Sequence, residues 1–92
     1  MRRARALGLR IEIADLGASN ALFSEYDARA RAIRVSESHL RGLHGRARRR
    51  FLVEAVAHEL YHHLEYAGEV ERLHTRAQRE AAAERYARAA VS

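Results

Sequence analysis

The sequence predicts an α+β domain, with a small three-stranded antiparallel sheet packed on one long helix and a second helix behind it. Three observations predict it. Apolar and polar residues alternate over Leu9–Ile13 and again over Arg31–Val35, the period of half-buried strands. Leu52, Val53, Val56, Ala57, Leu60 and Leu64 recur at spacings of three and four, which makes one apolar stripe on a helix. Thr75 and Gln78 have the spacing of a capping box, in which each side chain satisfies the other's backbone amide at a helix start.

The elements follow in order. Met1 to Ala6 reads as a short helical end or a frayed terminus, stopped by Gly8. Leu9, Ile11 and Ile13 make the first strand. Asp15, Gly17, Ser19 and Asn20 supply turn chemistry. Ala21 to Tyr26 is the second strand and Asp27 to Arg29 the turn after it. Arg31 to Val35 is the third strand, with Ile33 and Val35 on one face and Arg34 on the other. Strands this close together predict an antiparallel meander. Ser36 to Leu43 forms a short helix with Ser36 as its N-cap. The long helix runs from Arg46 to Ala67, with Gly68 as its stop. The last helix runs from Arg76 to Ala90, and Ala77, Ala81, Ala82, Tyr86, Ala89 and Ala90 give it a packing side of mostly small residues.

Ninety-two residues make a single domain over 1–92, with no room for a second core. There is no cysteine, so disulfides and thiolate metal sites are excluded. No apolar run reaches the length of a membrane span. The first residues carry arginine without a following apolar stretch, unlike a signal peptide. A soluble, cytoplasmic protein is the expectation.

The formal net charge is +5, and all seventeen basic residues are arginine. An alanine- and arginine-rich chain without lysine reflects coding bias before it reflects a binding surface. The densest cluster is Arg46, Arg48, Arg49 and Arg50. It reads first as a solvated helix start and second as a docking surface for an acidic protein or nucleic acid. Aromatic residues are not interleaved with it, so a nucleic-acid partner ranks last.

The chemistry lies in His58-Glu59-Leu60-Tyr61-His62. On a helix, residues four apart share a face, so His58 and His62 can hold one zinc ion between two imidazoles. Glu59, one position on, can reach a water at the metal and accept its proton. A catalytic zinc site needs a third protein ligand. Glu80 is the first candidate, because a helix starting near Arg76 places it in the second turn. Glu84, one turn later, would take a proton from a ligand histidine and fix its ring. Without a metal, the same two glutamates would pair with Arg76 and Arg88. His74 is the rival ligand, if the two helices form a tight hairpin about Gly68. His63 points away around the helix, and His39 and His44 lie before it.

With these residues in hand, the chain resembles the ImmA/IrrE family of metallopeptidases and the related minigluzincins. The resemblance rests on two stretches. One is Phe51-Leu52-Val53-Glu54-Ala55-Val56-Ala57 leading into His58–His62. The other is Glu80-Ala81-Ala82-Ala83-Glu84-Arg85-Tyr86-Ala87. The resemblance implies a minimal zincin-like fold of gluzincin type. It implies zinc on His58, His62 and Glu80, and Glu59 as catalytic base. It also implies a peptide or protein substrate, such as a helix-turn-helix repressor. The chain departs from the family at Tyr61, where glycine is usual, and in a shorter segment between His62 and Glu80.

The expected activity is therefore zinc-dependent hydrolysis of a peptide bond. The substrate would lie extended along an edge strand, Arg31 to Val35. Tyr66, His63, His74 and His39 are candidates for the donor that stabilises the oxyanion. The competing expectation is a zincin-fold module that is weakly active or inactive and acts by binding a partner.

Overall fold

The computed structural model describes residues 2–16 and 23–91. The elements are α1 (Arg2–Ala6), β1 (Arg10–Ala14), β2 (Ser24–Asp27), β3 (Ala32–Ser36), α2 (Glu37–Arg41), α3 (Gly45–Tyr66) and α4 (Arg76–Val91). The expected turn residues Gly17, Ser19 and Asn20, and the expected strand start at Ala21 and Leu22, lie outside the described residues.

The three strands form one sheet, but it is mixed and not antiparallel. Its order is β1-β3-β2. β2 and β3 make an antiparallel hairpin, while β1 runs parallel to β3. The third strand in sequence is therefore the central one, and Arg31 to Val35 is not an edge. Ala32, Ile33, Val35 and Ser36 are all buried, as fits the strand with a neighbour on each side. The β2–β3 turn closes locally. The Asp27 Oδ1 accepts from the Ala30 N–H at 3.0 Å, and Arg31 adopts a left-handed φ of 52°.

The two faces of the sheet differ. On one face, Arg34 donates to Glu12 at 3.1 Å and to Asp27 at 3.0 Å, tying β3 to both neighbours. On the other face, Ile33 and Val35 meet Val56 and Leu60 of α3, with Leu9, Leu40, Ala4 and Ala55 completing the core. Removing an aliphatic side chain of this kind from water contributes roughly 1.5–3 kcal/mol.

The helix ends are built by local chemistry. Ser36 caps α2 by accepting from the His39 N–H at 3.4 Å. At the end of α3, Gly68 takes φ 78°, its N–H donates to the Glu65 carbonyl, and the Glu69 N–H donates to the Leu64 carbonyl. These paired bonds are a Schellman motif, in which glycine avoids the steric cost of the left-handed residue. At the start of α4, the Gln78 N–H donates to Thr75 Oγ1 and the Thr75 N–H donates to Gln78 Oε1, each at 3.1 Å.

The packing side of α4 agrees with the expected one at Ala82 and Tyr86 and differs elsewhere. Ala82, Ala83 and Ala87 are buried, whereas Ala77, Ala81, Ala89 and Ala90 are exposed. Alanines occur all round this helix, so composition alone does not choose a face. Ala83 and Ala87 lie three and seven residues after Glu80, on the same face. The helix turns that face to α3.

Candidate metal centre

α3 presents His58 and His62 one turn apart, with ring centroids 5.1 Å from each other. The capping box starts α4 at the residue that brings Glu80 opposite them. One Glu80 oxygen lies 3.1 Å from His58 Nε2 and the other 3.2 Å from His62 Nε2. One ligand atom from each residue lies within 4.8 Å of the other two. Among the described residues this is the one cluster of three such groups. Ligand atoms in a tetrahedral zinc site stand about 3.3 Å apart, and each Glu80 oxygen lies at about that distance from one histidine nitrogen. The group could hold a metal ion.

The donor set fits that reading chemically. Glu65, three residues after His62, accepts from its Nδ1 at 2.8 Å. A hydrogen on Nδ1 leaves the neutral ring's Nε2 lone pair for a metal. His62 Nε2 faces a carboxylate oxygen of Glu80 at 3.2 Å, and a cation between the two would attract both. The Glu65 side chain is 7% exposed, and its Oε2 is buried without a hydrogen-bond partner.

Glu65 occupies the role expected for Glu84. Glu84 is exposed and makes no hydrogen bond to His58 or His62 among the described residues. The signal for Glu65 was present, since His62 and Glu65 are three apart on one helix. His74 is also excluded from the cluster. It lies exposed in the loop before α4, where its carbonyl accepts from Arg79 at 3.3 Å.

Glu59 is 6% exposed, at the floor of a cleft of about 530 Å³. Phe23, Ser24, Phe51, Ala55, His58 and Glu80 also line this cleft. Ser24, reaching over from β2, donates to Glu59 Oε2 at 2.7 Å. Burial raises the Glu59 pKa, while the Ser24 hydrogen bond and the nearby His58 and His62 pull it down. A carboxylate held this way has one oxygen fixed and an increased affinity for a proton.

The four candidate oxyanion donors separate in space. His63 is buried with Nδ1 2.7 Å from the Tyr26 hydroxyl, and burial, then Arg31, lowers its pKa. His39 is held by Ser36 at 3.0 Å and stacks on Phe51. His74 is in the loop before α4. Tyr66, 72% exposed, is the one of the four that shares a cleft with His62 and Glu80. Tyr26 lines the same cleft and was not anticipated. No helix among the described residues is long and apolar enough to cross a membrane.

Compared with protein-family models, curated proteins and solved structures, the chain has no significant match among them.

Proposed function

We propose that the protein is a zinc-dependent metallopeptidase whose base is Glu59 and whose metal ligands are His58, His62 and Glu80. One observation carries the reading. Three ligand groups from two helices converge beside a buried carboxylate at the base of an open cleft. A zinc ion on this donor set supplies a Lewis acid that polarises the scissile carbonyl and makes a neighbouring water more acidic. Glu59 accepts the proton of the attacking water and returns it to the leaving amine. Ser24 keeps the Glu59 carboxylate turned toward the cleft. Of the four candidate oxyanion donors, Tyr66 is favoured because it shares a cleft with His62 and Glu80.

The family resemblance in the two helices supports the same reading, with a DNA-binding regulatory protein as the substrate it implies. The substrate strand belongs on β2, not on the central β3. β2 is an edge of the sheet, and its Ser24 lies on the cleft.

The test is Glu59→Gln in the full chain, with zinc content and cleavage of an unfolded test protein measured together. Zinc retained at one ion per chain with cleavage lost is the expected result. Cleavage that survives the substitution overturns the assignment of the base.

A second reading rests on the exposed arginines. Arg46, Arg48, Arg49 and Arg50 all face solvent in the first turns of α3. A module that docks an acidic partner there and does no hydrolysis predicts zinc binding without cleavage by the unaltered chain.

A further inference from the structure

A second cleft, of about 350 Å³, opens on the far side of Glu80 and His62. Its wall carries Arg72, Arg76 and Arg79 together with Tyr26 and Tyr66. None of the three arginines has a carboxylate within salt-bridge distance among the described residues. Arg79 is nevertheless held in place, because its Nη1 donates to the Leu73 and His74 carbonyls. That leaves the rest of its guanidinium fork free.

The cleft also contains two carboxylates, and both are committed. Each Glu80 oxygen faces a histidine, and Glu65 spends Oε1 on His62 while its Oε2 is buried. With a divalent ion bound, Glu65, Glu80 and the ion sum to zero, and the three arginines remain as net positive charge. Unpaired guanidinium groups beside two aromatic rings are suited to bind a carboxylate through charge-assisted, bidentate hydrogen bonds. The first cleft is different. Apart from the catalytic groups it offers Phe23, Phe51, Ala55 and Ala87, with Glu54, Glu84 and Arg88.

β2 connects the two clefts. Ser24 lines the first and Tyr26 the second. A peptide added antiparallel to this edge would run its N-terminal half past Tyr26 and its C-terminal half past Ser24. The arginines would then meet a side chain on the N-terminal side of the scissile bond, and not a free C-terminus.

We propose that the Arg72–Arg76–Arg79 cleft is a subsite for an aspartate or glutamate side chain in the N-terminal half of the bound peptide. The proposal rests on the peptidase reading for the presence of a peptide, and it adds the charge that the peptide must carry. The subsite selects substrates; it does not touch the reacting bond.

Binding by a chain that does not turn over separates the two. Zinc-loaded Glu59→Gln protein is titrated with three fluorescein-labelled, end-blocked octapeptides. One carries two glutamates N-terminal to a central Leu-Phe pair. The second has glutamine at those positions. The third has the glutamates moved to the C-terminal side. The first binds about tenfold tighter than the other two by anisotropy. Adding Arg72→Ala and Arg76→Ala removes the difference, while zinc content and the melting temperature stay unchanged. Equal affinity for all three peptides overturns the proposal. So does a preference for the third, a preference that survives loss of the arginines, or no binding of the first at millimolar concentration. Failure of the unaltered chain to cleave any peptide bears only on the peptidase reading.

Discussion

Replacing Glu80 with glutamine separates the metal centre from the rest of the fold. α4 meets α3 through the buried Ala82, Ala83 and Ala87 and through Tyr86, whose ring lies 5.7 Å from that of Tyr61. A metal bound by His58 and His62 on α3 and Glu80 on α4 links the two helices directly. A ligand that binds only the folded state stabilises it by about 2.7 kcal/mol at a free concentration one hundred times its Kd. For a domain of this size, each kcal/mol moves Tm by roughly 4–8 °C. Zinc at that concentration should therefore raise Tm by roughly 11–22 °C over the chelator-treated protein. If Glu80→Gln weakens binding a hundredfold, the same zinc gives about 0.4 kcal/mol, or roughly 2–3 °C. The Glu80 side chain is 44% exposed, so with chelator present the variant should melt close to the parent. The assay is circular dichroism at 222 nm with and without zinc. An equal zinc shift in parent and variant would show that the metal binds elsewhere, and the site described above would be wrong.

Three further outcomes follow from the same geometry. Thr75→Ala removes one arm of the capping box and should cost about 1 kcal/mol in urea unfolding. It should also weaken zinc binding, because the first turn of α4 positions Glu80. Glu65→Gln should lower zinc affinity roughly 10–100-fold, measured by competition with a chelating dye. An unchanged affinity would show that the His62 ring is oriented by packing alone. At Asp27, the Ala30 backbone N–H, then Arg34, holds the carboxyl below its ordinary pKa. A depressed pKa contributes stability that is present above about pH 4 and lost as pH falls through the folded-state value. Stability of the parent should therefore fall more steeply than that of Asp27→Asn on acidification below about pH 4, followed by denaturant midpoint. Parallel pH profiles would refute the depressed pKa.

Recognition of the elements and recognition of their arrangement drew on different physics. The boundaries of α3 and α4 came within about two residues of the expected ones, because their signals are local. An apolar stripe, a glycine with positive φ after α3 and a reciprocal Thr75–Gln78 cap all act within a few residues. The same locality made His58 and His62 readable as a pair. Glu84 lies exposed on the neighbouring helix, whereas Glu65 stands one turn from His62 on α3 and hydrogen-bonds its ring. Tyr26 and the arginine-lined cleft could not be anticipated from spacing, because they meet only when β2, α3 and the start of α4 are assembled.

By itself, the sequence determined the two long helices, their ends and the histidine pair on α3, and it left Glu80 and His74 as rivals for the group opposite that pair. Each of these depends on backbone periodicity and hydrogen bonds among near neighbours. Only the tertiary structure decided that β3 lies between β1 and β2, that β2 is the edge beside the site, and which face of α4 turns inward. Those choices are made by packing between segments far apart in the chain. An alternating run reveals that a strand has a buried face, and not which strand will lie beside it.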